Sequence, residues 1–168
     1  MRKSILVNSD RDGTLNFDNN FYLGSQEDWK EKLEYMPGVF SGARILRGIP
    51  GLYHFIASNQ SGVALAKLSL ERAEEVTRHI AQEIAVQGGR IDGFFICPFV
   101  GREYADKAIG KGNVVNPNYV QDDHPDSKPK TGMLEKSAAS MKRRLDEFQV
   151  YTIGDRLSDV QFGLNGGG

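Results

Sequence analysis

The sequence predicts an α/β fold in which a parallel sheet lies between two layers of helices. Short apolar runs of strand length alternate with segments of helical periodicity, a pattern typical of parallel strands joined by right-handed crossovers. Several of these runs end abruptly in polar residues, as strands do where an open α/β sheet binds its ligand. With 168 residues, the chain is long enough for one domain with a sizeable core, and we expect residues 1–168 to form it.

Composition excludes several classes of protein. A hydrophobic content of 39% with 26% charged residues is ordinary for a soluble globular domain. The net charge of −1 does not favour nucleic-acid binding. The apolar stretches are too short to span a bilayer, no leader segment opens the chain, and the single cysteine, Cys97, fits a reducing compartment. We therefore expect a cytoplasmic protein without a membrane or nucleic-acid partner; its oligomeric state stays open.

The predicted elements begin with a strand at Ile5–Val7, which leads directly into a cluster of acidic residues. The polar and aromatic segment 16–35 follows, with a weak strand signal at 21–23, and we interpret it as a flap or loop beside the site. Pro37 starts a short helix, since proline is tolerated in a first helical turn. The second buried strand is predicted at Leu52–Ala57.

The second half of the chain continues the alternation. Ser69 is a candidate N-cap for a long helix, and the third strand is predicted at Ile91–Cys97. Segment 101–127 has no clear periodicity, and because so long a loop is unusual in a compact domain, we expect it to be functional or partly disordered. A further helix, the fourth strand at Val150–Ile153 and a short helix over 158–165 complete the pattern.

Polar residues at the predicted strand ends indicate an active site. Asp10 and Asp12 follow the first strand one residue apart, so both side chains project to the same side. Two carboxylates this close repel each other unless a cation, a substrate or a shared proton offsets the repulsion. Ser58 and Asn59 end the second strand, and Asp155 ends the fourth. Each group alone fits ordinary turn chemistry, but their joint occurrence predicts a constellation that acts together.

Four motifs in this order resemble those of the haloacid dehalogenase-like (HAD) phosphohydrolases: Asp10-Arg11-Asp12-Gly13-Thr14, Ser58-Asn59, Lys128, and Gly154-Asp155 with Asp159. Three longer stretches are similar to the branch that contains histidinol phosphatase and D-glycero-D-manno-heptose 1,7-bisphosphate phosphatase: Ser58-Asn59-Gln60-Ser61-Gly62, Ile96-Cys97-Pro98 and Lys128-Pro129-Lys130-Thr131-Gly132-Met133. The resemblance extends from Ile5 to Gly167. It implies a three-layer, Rossmann-like HAD fold with a parallel sheet and no large cap domain.

The resemblance also implies a mechanism that begins at the paired aspartates. Asp10 would attack phosphorus and become an aspartyl-phosphate. Asp12 would protonate the leaving alkoxide and then take a proton from the hydrolytic water. Mg²⁺ would be held by the carboxylates of Asp10 and Asp155 and by the carbonyl of Asp12. Asp159 would support the metal by contacting its ligands.

Four further residues would act on the substrate. The resemblance implies that Ser58 and Lys128 contact phosphoryl oxygens and that Asn59 orients the substrate. Arg156 is placed to meet a substrate anion, although an exposed surface arginine would look the same in the sequence. The implied partner is therefore a small phosphorylated metabolite, and the implied cofactor is Mg²⁺.

The sequence departs from this branch at its zinc loop. The first metal-binding pair falls on Cys97–Phe99, where phenylalanine stands in place of histidine, and the second falls on His124–Asp126, which has no cysteine. Cys97, His124 and Asp126 could in principle bind a metal, but the phenylalanine removes the fourth ligand of a closed structural site. We therefore expect no zinc.

Other departures concern the substrate and the sheet edge. Ser127 stands where the branch has an arginine, and Ala64-Leu65-Ala66 stands in place of Ala-Arg-Gly. Both changes remove groups that would grip a second phosphate or a sugar, so the identity of the substrate does not transfer. The chain stops at Gly168, where the family continues into another strand, so we expect a missing C-terminal edge strand and an exposed sheet edge.

The sequence thus predicts a magnesium-dependent phosphomonoester hydrolase that acts on a phosphorylated sugar or a related small metabolite. Two alternatives stay open. The first is a 3′-phosphatase on nucleic-acid ends, which an open site would suit but which the near-neutral charge disfavours. The second is a non-catalytic module that binds phosphate ligands or has a regulatory role. The intact set of Asp10, Asp12, Lys128 and Asp155 argues against it.

Overall fold

Four parallel strands form the centre of the computed structural model, which describes residues 3–18 and 22–168. The strands are β1 (Ser4–Ser9), β2 (Leu52–Asn59), β3 (Gly93–Cys97) and β4 (Phe148–Ile153). Their order is β3–β2–β1–β4, so β1 lies between two partners and β4 lies at one edge of the described sheet. The predicted α/β fold with a parallel sheet is confirmed.

Helices cover both faces of this sheet. In chain order they are α1 (Val39–Arg47), α2 (Ser61–Ala64), α3 (Leu70–Val86), α4 (Arg102–Gly110), α5 (Gly132–Ser140) and α6 (Leu157–Asn165). Short 3₁₀ turns occupy Pro117–Tyr119 and Leu145–Glu147. No helix within the two described ranges combines the length and the apolar character that a membrane span requires.

Alternation along β2 divides the core between the two faces. Phe55 packs on one face with Leu134 of α5 and Phe162 of α6. Its neighbour Ile56 packs on the other face with Ile80 of α3 and with residues of α1. Successive side chains of a strand point to opposite faces, and burying each such side chain stabilises the fold by about 1.5–3 kcal/mol. Both helical layers are therefore fixed to the strands that carry the site.

The helix that precedes β3 begins as predicted, whereas the first helix begins later than predicted. The Ser69 hydroxyl accepts a hydrogen bond of 3.1 Å from the Arg72 amide and so caps α3. By contrast, Pro37 lies in a turn before α1 because the next residue, Gly38, adopts a φ of 86°. This left-handed conformation suits glycine and separates the proline from the helix.

Segment 101–127 is not the structureless loop that we predicted. It contains α4 and the 3₁₀ turn at Pro117–Tyr119. The buried face of α4 consists of alanines, Ala105 and Ala108, whose small side chains give a weak periodic signal. The Asp122 carboxylate accepts a 2.7 Å hydrogen bond from the Arg102 amide in the first turn of α4. A sequence-distant cap of this kind is invisible to local pattern reading.

Segment 16–35, which we interpreted as a flap or loop, is partly packed into the core. Phe21 of the predicted strand signal at 21–23 lies outside the described residues, while Tyr22 and Leu23 belong to no strand. Leu23 and Trp29 are buried against the apolar face of α3, with Trp29 only 1% exposed. The segment does lie beside the candidate site, as predicted, because Tyr22 and Leu23 line the cavity described below.

The edge strand and the last helix present an apolar surface to solvent. Five large side chains there are 44–70% exposed: Tyr151, Ile153, Leu157, Val160 and Leu164. Two of them, Ile153 and Leu157, flank the segment that contains Asp155.

Candidate active site

A buried ion-pair triad lies at the carboxyl end of the central strand. Asp10 follows β1 directly, and its amide donates a 2.8 Å hydrogen bond to the Ile153 carbonyl of β4. Its carboxylate Oδ1 lies 3.0 Å from Lys128 Nζ, and the same ammonium lies 2.5 Å from Asp159 Oδ1. All three side chains are nearly inaccessible to solvent. One buried cation therefore serves two carboxylates that come from distant parts of the chain.

The single positive charge of Lys128 does not balance the two carboxylates of Asp10 and Asp159. Burial raises the pKa of Asp10; the charge of Lys128 opposes this effect, and the carboxylate of Asp159 adds to it. The net direction is upward from the ordinary value near 3.8. A further cation at this position would relieve the repulsion between the carboxylates.

The acidic cluster offers oxygen ligands of the type that Mg²⁺ prefers. Carboxylate oxygens of Asp10, Asp155 and Asp159 all lie within 4.8 Å of one another. Asp155 is exposed, whereas the other two are buried, so one side of the cluster faces solvent. Because Mg²⁺ is bound by a few carboxylates together with waters and phosphate oxygens, the donor set fits this ion. The structure adds Asp159 to the candidate ligands, whereas the sequence implied only a supporting role for it.

The Asp12 carboxylate accepts hydrogen bonds from four donor atoms. Oδ1 accepts hydrogen bonds from Arg11 Nε at 3.1 Å and Asn16 Nδ2 at 3.0 Å. Oδ2 accepts hydrogen bonds from Arg11 Nη2 and from Gln60 Nε2, both at 2.8 Å. Burial raises the pKa of Asp12, but the charge of Arg11 and these hydrogen bonds outweigh it, and the net shift is downward.

Asn59 ties the triad lysine to the sheet. Its Oδ1 accepts a 3.1 Å hydrogen bond from the Lys128 amide, and its Nδ2 donates to the Lys128 carbonyl at 3.4 Å. The side chain thus fixes the backbone of Lys128 at the end of β2. Ser58, the residue before Asn59, is buried, and its hydroxyl accepts a 3.0 Å hydrogen bond from Gln60 Nε2.

Comparison with known proteins gives a consistent picture. No protein-family model matches the chain. A D-glycero-β-D-manno-heptose-1,7-bisphosphate 7-phosphatase from Rhodopseudomonas palustris is 32% identical over 152 residues, which cover 90% of this chain and 73% of that protein. A D-glycero-α-D-manno-heptose-1,7-bisphosphate 7-phosphatase from Campylobacter jejuni is also 32% identical, over 93% of this chain and 74% of its own length. The chain belongs to the heptose bisphosphate phosphatase branch of the HAD phosphatases.

Solved structures share the fold of this phosphatase. A HAD-like phosphatase from Mesorhizobium loti aligns with a TM-score of 0.75 at 23% identity, over 98% of this chain and 69% of that one. The D,D-heptose 1,7-bisphosphate phosphatase from B. bronchiseptica, solved with magnesium and phosphate, aligns with a TM-score of 0.69 at 23% identity. That match covers 96% of this chain and 76% of the other. The two alignments establish the fold as that of HAD phosphatases.

A cavity of about 90 Å³ lies at the site of this phosphatase. Six of the predicted site residues line it: Asp10, Asp12, Ser58, Asn59, Lys128 and Arg156. The cavity is also lined by residues to which the sequence analysis gave no role of their own: Arg11, Asp18, Tyr22, Leu23, Gln60, Ser61 and Ser158. The volume is well below the roughly 300–1,000 Å³ of a pocket that encloses a drug-sized ligand. The cavity therefore suits the reacting group of a substrate rather than an entire sugar.

Arg156 lies at the rim of this cavity and has a partner there. Its Nη2 lies 3.1 Å from the Asp18 carboxylate, and both side chains are largely exposed. The Arg156 amide donates a 3.1 Å hydrogen bond to Asp159 Oδ2. The guanidinium is therefore placed to meet an anion at the rim, provided that the anion displaces Asp18.

The degenerate zinc loop of the phosphatase uses its side chains for other contacts. Burial raises the pKa of the Cys97 thiol to about 11. The His124 ring stacks on Phe99 at 4.0 Å, and its Nδ1 accepts a 3.2 Å hydrogen bond from the Asp126 amide. The Asp126 carboxylate forms an ion pair with Lys136. Cys97 Sγ nevertheless lies 3.9 Å from His124 Nδ1. Within the described residues, three acidic, histidine or cysteine side chains bring their ligand atoms within 4.8 Å of one another at Asp10, Asp155 and Asp159.

Gly13 is required for the close approach of Asp155. Its φ is +81°, and a Cβ added there would collide with the Asp155 carboxylate. We expect Gly13→Ala to lower the free energy of unfolding by about 1–3 kcal/mol, since it combines backbone strain with this collision. It should also displace Asp155 and raise the magnesium concentration needed for half-maximal activity.

A second glycine variant, at Gly51, separates the effect of backbone strain from that of the collision with Asp155. Gly51 has a φ of +72°, but nothing lies within 4 Å of its added Cβ. Gly51→Ala should therefore lose stability through strain alone and keep the magnesium response of the parent. Chemical denaturation and magnesium titrations of activity measure both effects. Equal magnesium responses of the two variants would contradict a role for Gly13 in placing Asp155.

Proposed function

We propose that this phosphatase is magnesium-dependent and hydrolyses a phosphorylated sugar through an aspartyl-phosphate on Asp10. The observation that carries the proposal is the buried Asp10 carboxylate, 3.0 Å from Lys128 and within 4.8 Å of the oxygens of Asp155 and Asp159. A nucleophile placed between a fixed ammonium and a set of hard oxygen ligands suits attack on a phosphoryl group. The relatives that share this branch act on heptose bisphosphates.

The first half-reaction transfers the phosphoryl group to the protein. An Asp10 carboxylate oxygen attacks phosphorus, and the bond from phosphorus to the sugar oxygen breaks. Asp12, whose pKa in the free protein lies below its ordinary value, is protonated in the substrate complex and gives that proton to the sugar oxygen. Lys128 pairs with the charge of the transferring group, and the Ser58 hydroxyl lies in the same cavity to bind a phosphoryl oxygen.

The second half-reaction releases phosphate. A water attacks the phosphorus of the aspartyl-phosphate, Asp12 accepts the proton of that water, and the bond from phosphorus to Asp10 breaks. Asp10 is regenerated as a carboxylate and Asp12 as an acid, so the cycle closes. Mg²⁺ held by Asp10, Asp155 and Asp159 would supply charge that reduces repulsion between the nucleophile and the phosphate. Support for this ion comes from the B. bronchiseptica enzyme, which was solved with magnesium and phosphate.

The rim of the cavity suits a substrate with a second anionic group. Arg156 offers an exposed guanidinium there, which pairs with the exposed Asp18 carboxylate. Ser127 and the segment 64–66 lack the arginines of the branch, so Arg156 is the group that we propose for this contact. A bisphosphorylated sugar would place one phosphoryl group at Asp10 and the other at the rim.

Phosphate release from three substrates tests the proposal. Heptose 1,7-bisphosphate, histidinol phosphate and a 3′-phosphorylated oligonucleotide are each incubated with the protein in Mg²⁺ and in EDTA. We expect the highest kcat/KM for the heptose bisphosphate, and little release in EDTA. If phosphate were released fastest from the oligonucleotide, the substrate would be a nucleic-acid end and not a phosphorylated sugar. No release from any of the three would support a non-catalytic module instead.

A further inference from the structure

We infer that Arg11 and Gln60 are positioning residues that hold the Asp12 carboxylate in place for proton transfer to the leaving group. The inference rests on the proposed function, in which Asp12 is the proton donor. It concerns residues that bind no substrate atom in that mechanism. The observation behind it is a continuous set of buried and partly buried hydrogen bonds from α3 to Asp12 and on to Ser58.

Arg11 contacts Asp12 through both arms of its guanidinium. Arg11 Nε lies 3.1 Å from Asp12 Oδ1, and Nη2 lies 2.8 Å from Oδ2. Such paired hydrogen bonds fix the orientation of a carboxylate as well as its position. Arg11 is itself only 1% exposed. Arginine is rarely buried without a charged partner, and Asp12 is that partner here.

The other end of the guanidinium is attached to α3. Arg11 Nη1 donates to the Thr77 hydroxyl at 3.1 Å and lies 3.4 Å from the Ala73 carbonyl. The Thr77 hydroxyl in turn donates to the Ala73 carbonyl at 2.8 Å. The arginine is therefore held at a helix whose apolar face is part of the core, and it transmits that rigidity to Asp12.

Gln60 closes the arrangement on the side of the cavity. Its Oε1 accepts a 2.8 Å hydrogen bond from Arg11 Nη2. Its Nε2 donates to Asp12 Oδ2 at 2.8 Å and to the Ser58 hydroxyl at 3.0 Å. One amide thus fixes the spacing between the proposed proton donor and a proposed phosphoryl ligand.

These contacts also separate the charges of the site into two sets. Arg11 pairs with Asp12, while Lys128 pairs with Asp10 and Asp159. Without Arg11, the Asp12 carboxylate would be left unpaired beside this triad and would compete for its ammonium. Lysine at position 11 would keep the positive charge but could not form the two parallel hydrogen bonds that the guanidinium makes to the Asp12 carboxylate. Charge and geometry can therefore be tested separately.

The test compares two aryl phosphates that differ in their need for a proton donor. Phenyl phosphate requires protonation of its leaving oxygen, whereas 2,4-dinitrophenyl phosphate leaves readily as the anion. Arg11→Lys and Gln60→Leu should lower kcat/KM for phenyl phosphate by about tenfold or more and for the dinitrophenyl ester by less than about twofold. Thr77→Val, which removes only the anchoring hydroxyl, should change the same ratio in the same direction by a smaller factor.

Ser137→Ala is the matched control for the loss of a buried helix hydroxyl. The Ser137 hydroxyl donates to the Met133 carbonyl at 2.9 Å, as the Thr77 hydroxyl does to the Ala73 carbonyl, and it lies 3.0 Å from Asn8 Oδ1 rather than beside Arg11. It should leave the ratio of the two kcat/KM values unchanged. Thermal unfolding of each variant reports on folding, and Thr77→Val decides the question if the buried arginine variant does not fold.

Equal slowing of both esters in the folded variants, or no slowing of either, would overturn the positioning role. A parent protein that hydrolyses neither ester would instead refute the proposed function. The parent rates and the variant ratios therefore separate the two failures.

Discussion

Replacing Asp10 by asparagine is expected to lower phosphate release by at least about three orders of magnitude. The amide cannot act as the nucleophile toward phosphorus, and the ion pair with Lys128 Nζ at 3.0 Å is lost. Initial rates with saturating heptose bisphosphate in Mg²⁺ measure the effect. Rapid acid quench of the parent, followed by mass spectrometry of the peptide that contains Asp10, should detect one added phosphoryl group.

Asp146→Asn provides the control for this prediction. Asp146 is exposed in the 3₁₀ turn before β4, at the opposite end of the strands from the site. It pairs with Arg144 on the surface, and exposed pairs of this kind contribute little to stability. Its variant should match the parent in rate and in the phosphorylated peptide. Phosphate release by Asp10→Asn close to the parent rate would refute an aspartyl-phosphate at this residue.

Replacing Lys128 by methionine is expected to reduce both activity and stability. The change leaves the carboxylates of Asp10 and Asp159 buried without their cation, which costs about 3–5 kcal/mol of unfolding free energy at neutral pH. Activity should fall by about 10²- to 10³-fold because a charge-stabilising contact to the phosphoryl group is lost. Urea unfolding in EDTA and rates in Mg²⁺ measure the two effects separately.

The stability loss should depend on pH in a defined direction. Burial already raises the pKa of Asp10 above its ordinary value near 3.8, and removal of the lysine charge raises it further. A group with a raised pKa in the folded state favours folding below its unfolded pKa and loses that contribution as the pH rises. The difference between Lys128→Met and the parent should therefore shrink as the pH falls toward 3.8.

Lys107→Met is the matched control for the lysine. Lys107 is exposed on α4 and pairs with Glu103 one helical turn away. Its removal should leave both the rate and the pH dependence of stability as in the parent. If Lys128→Met unfolded at the same urea concentration as the parent at every pH, the buried triad would not contribute to stability as described.

The sheet and the strand-end position of the site follow from local patterns in the sequence. Apolar runs at Ile5–Val7 and Leu52–Ala57 predicted β1 and β2 because continuous burial on both faces requires such runs. The polar residues after them had to meet, since the carboxyl ends of parallel strands share one sheet edge. In the structure, Asp10, Ser58 and Asn59 all line one cavity.

The supporting contacts of the site could not be predicted in this way. A buried Arg11 looks like a surface residue in the sequence, because its partners Gln60 and Thr77 lie 49 and 66 residues away. Asn59 holds the Lys128 backbone across 69 residues, which no local pattern encodes. The available signal for a structural role of Arg11 was its position in the sequence between Asp10 and Asp12. Either of these acids could balance the charge of the arginine if it were buried.

The origin of the three clustered acids in two different parts of the chain has a consequence for folding. Asp10 follows β1, whereas Asp155 follows β4 and Asp159 lies in the first turn of α6. A metal ion bound by all three would bind the folded chain and not the unfolded one, because the acids meet only when β1 and β4 are paired. The free energy of unfolding should then rise with the concentration of Mg²⁺, so the ion would stabilise the fold as well as supply charge.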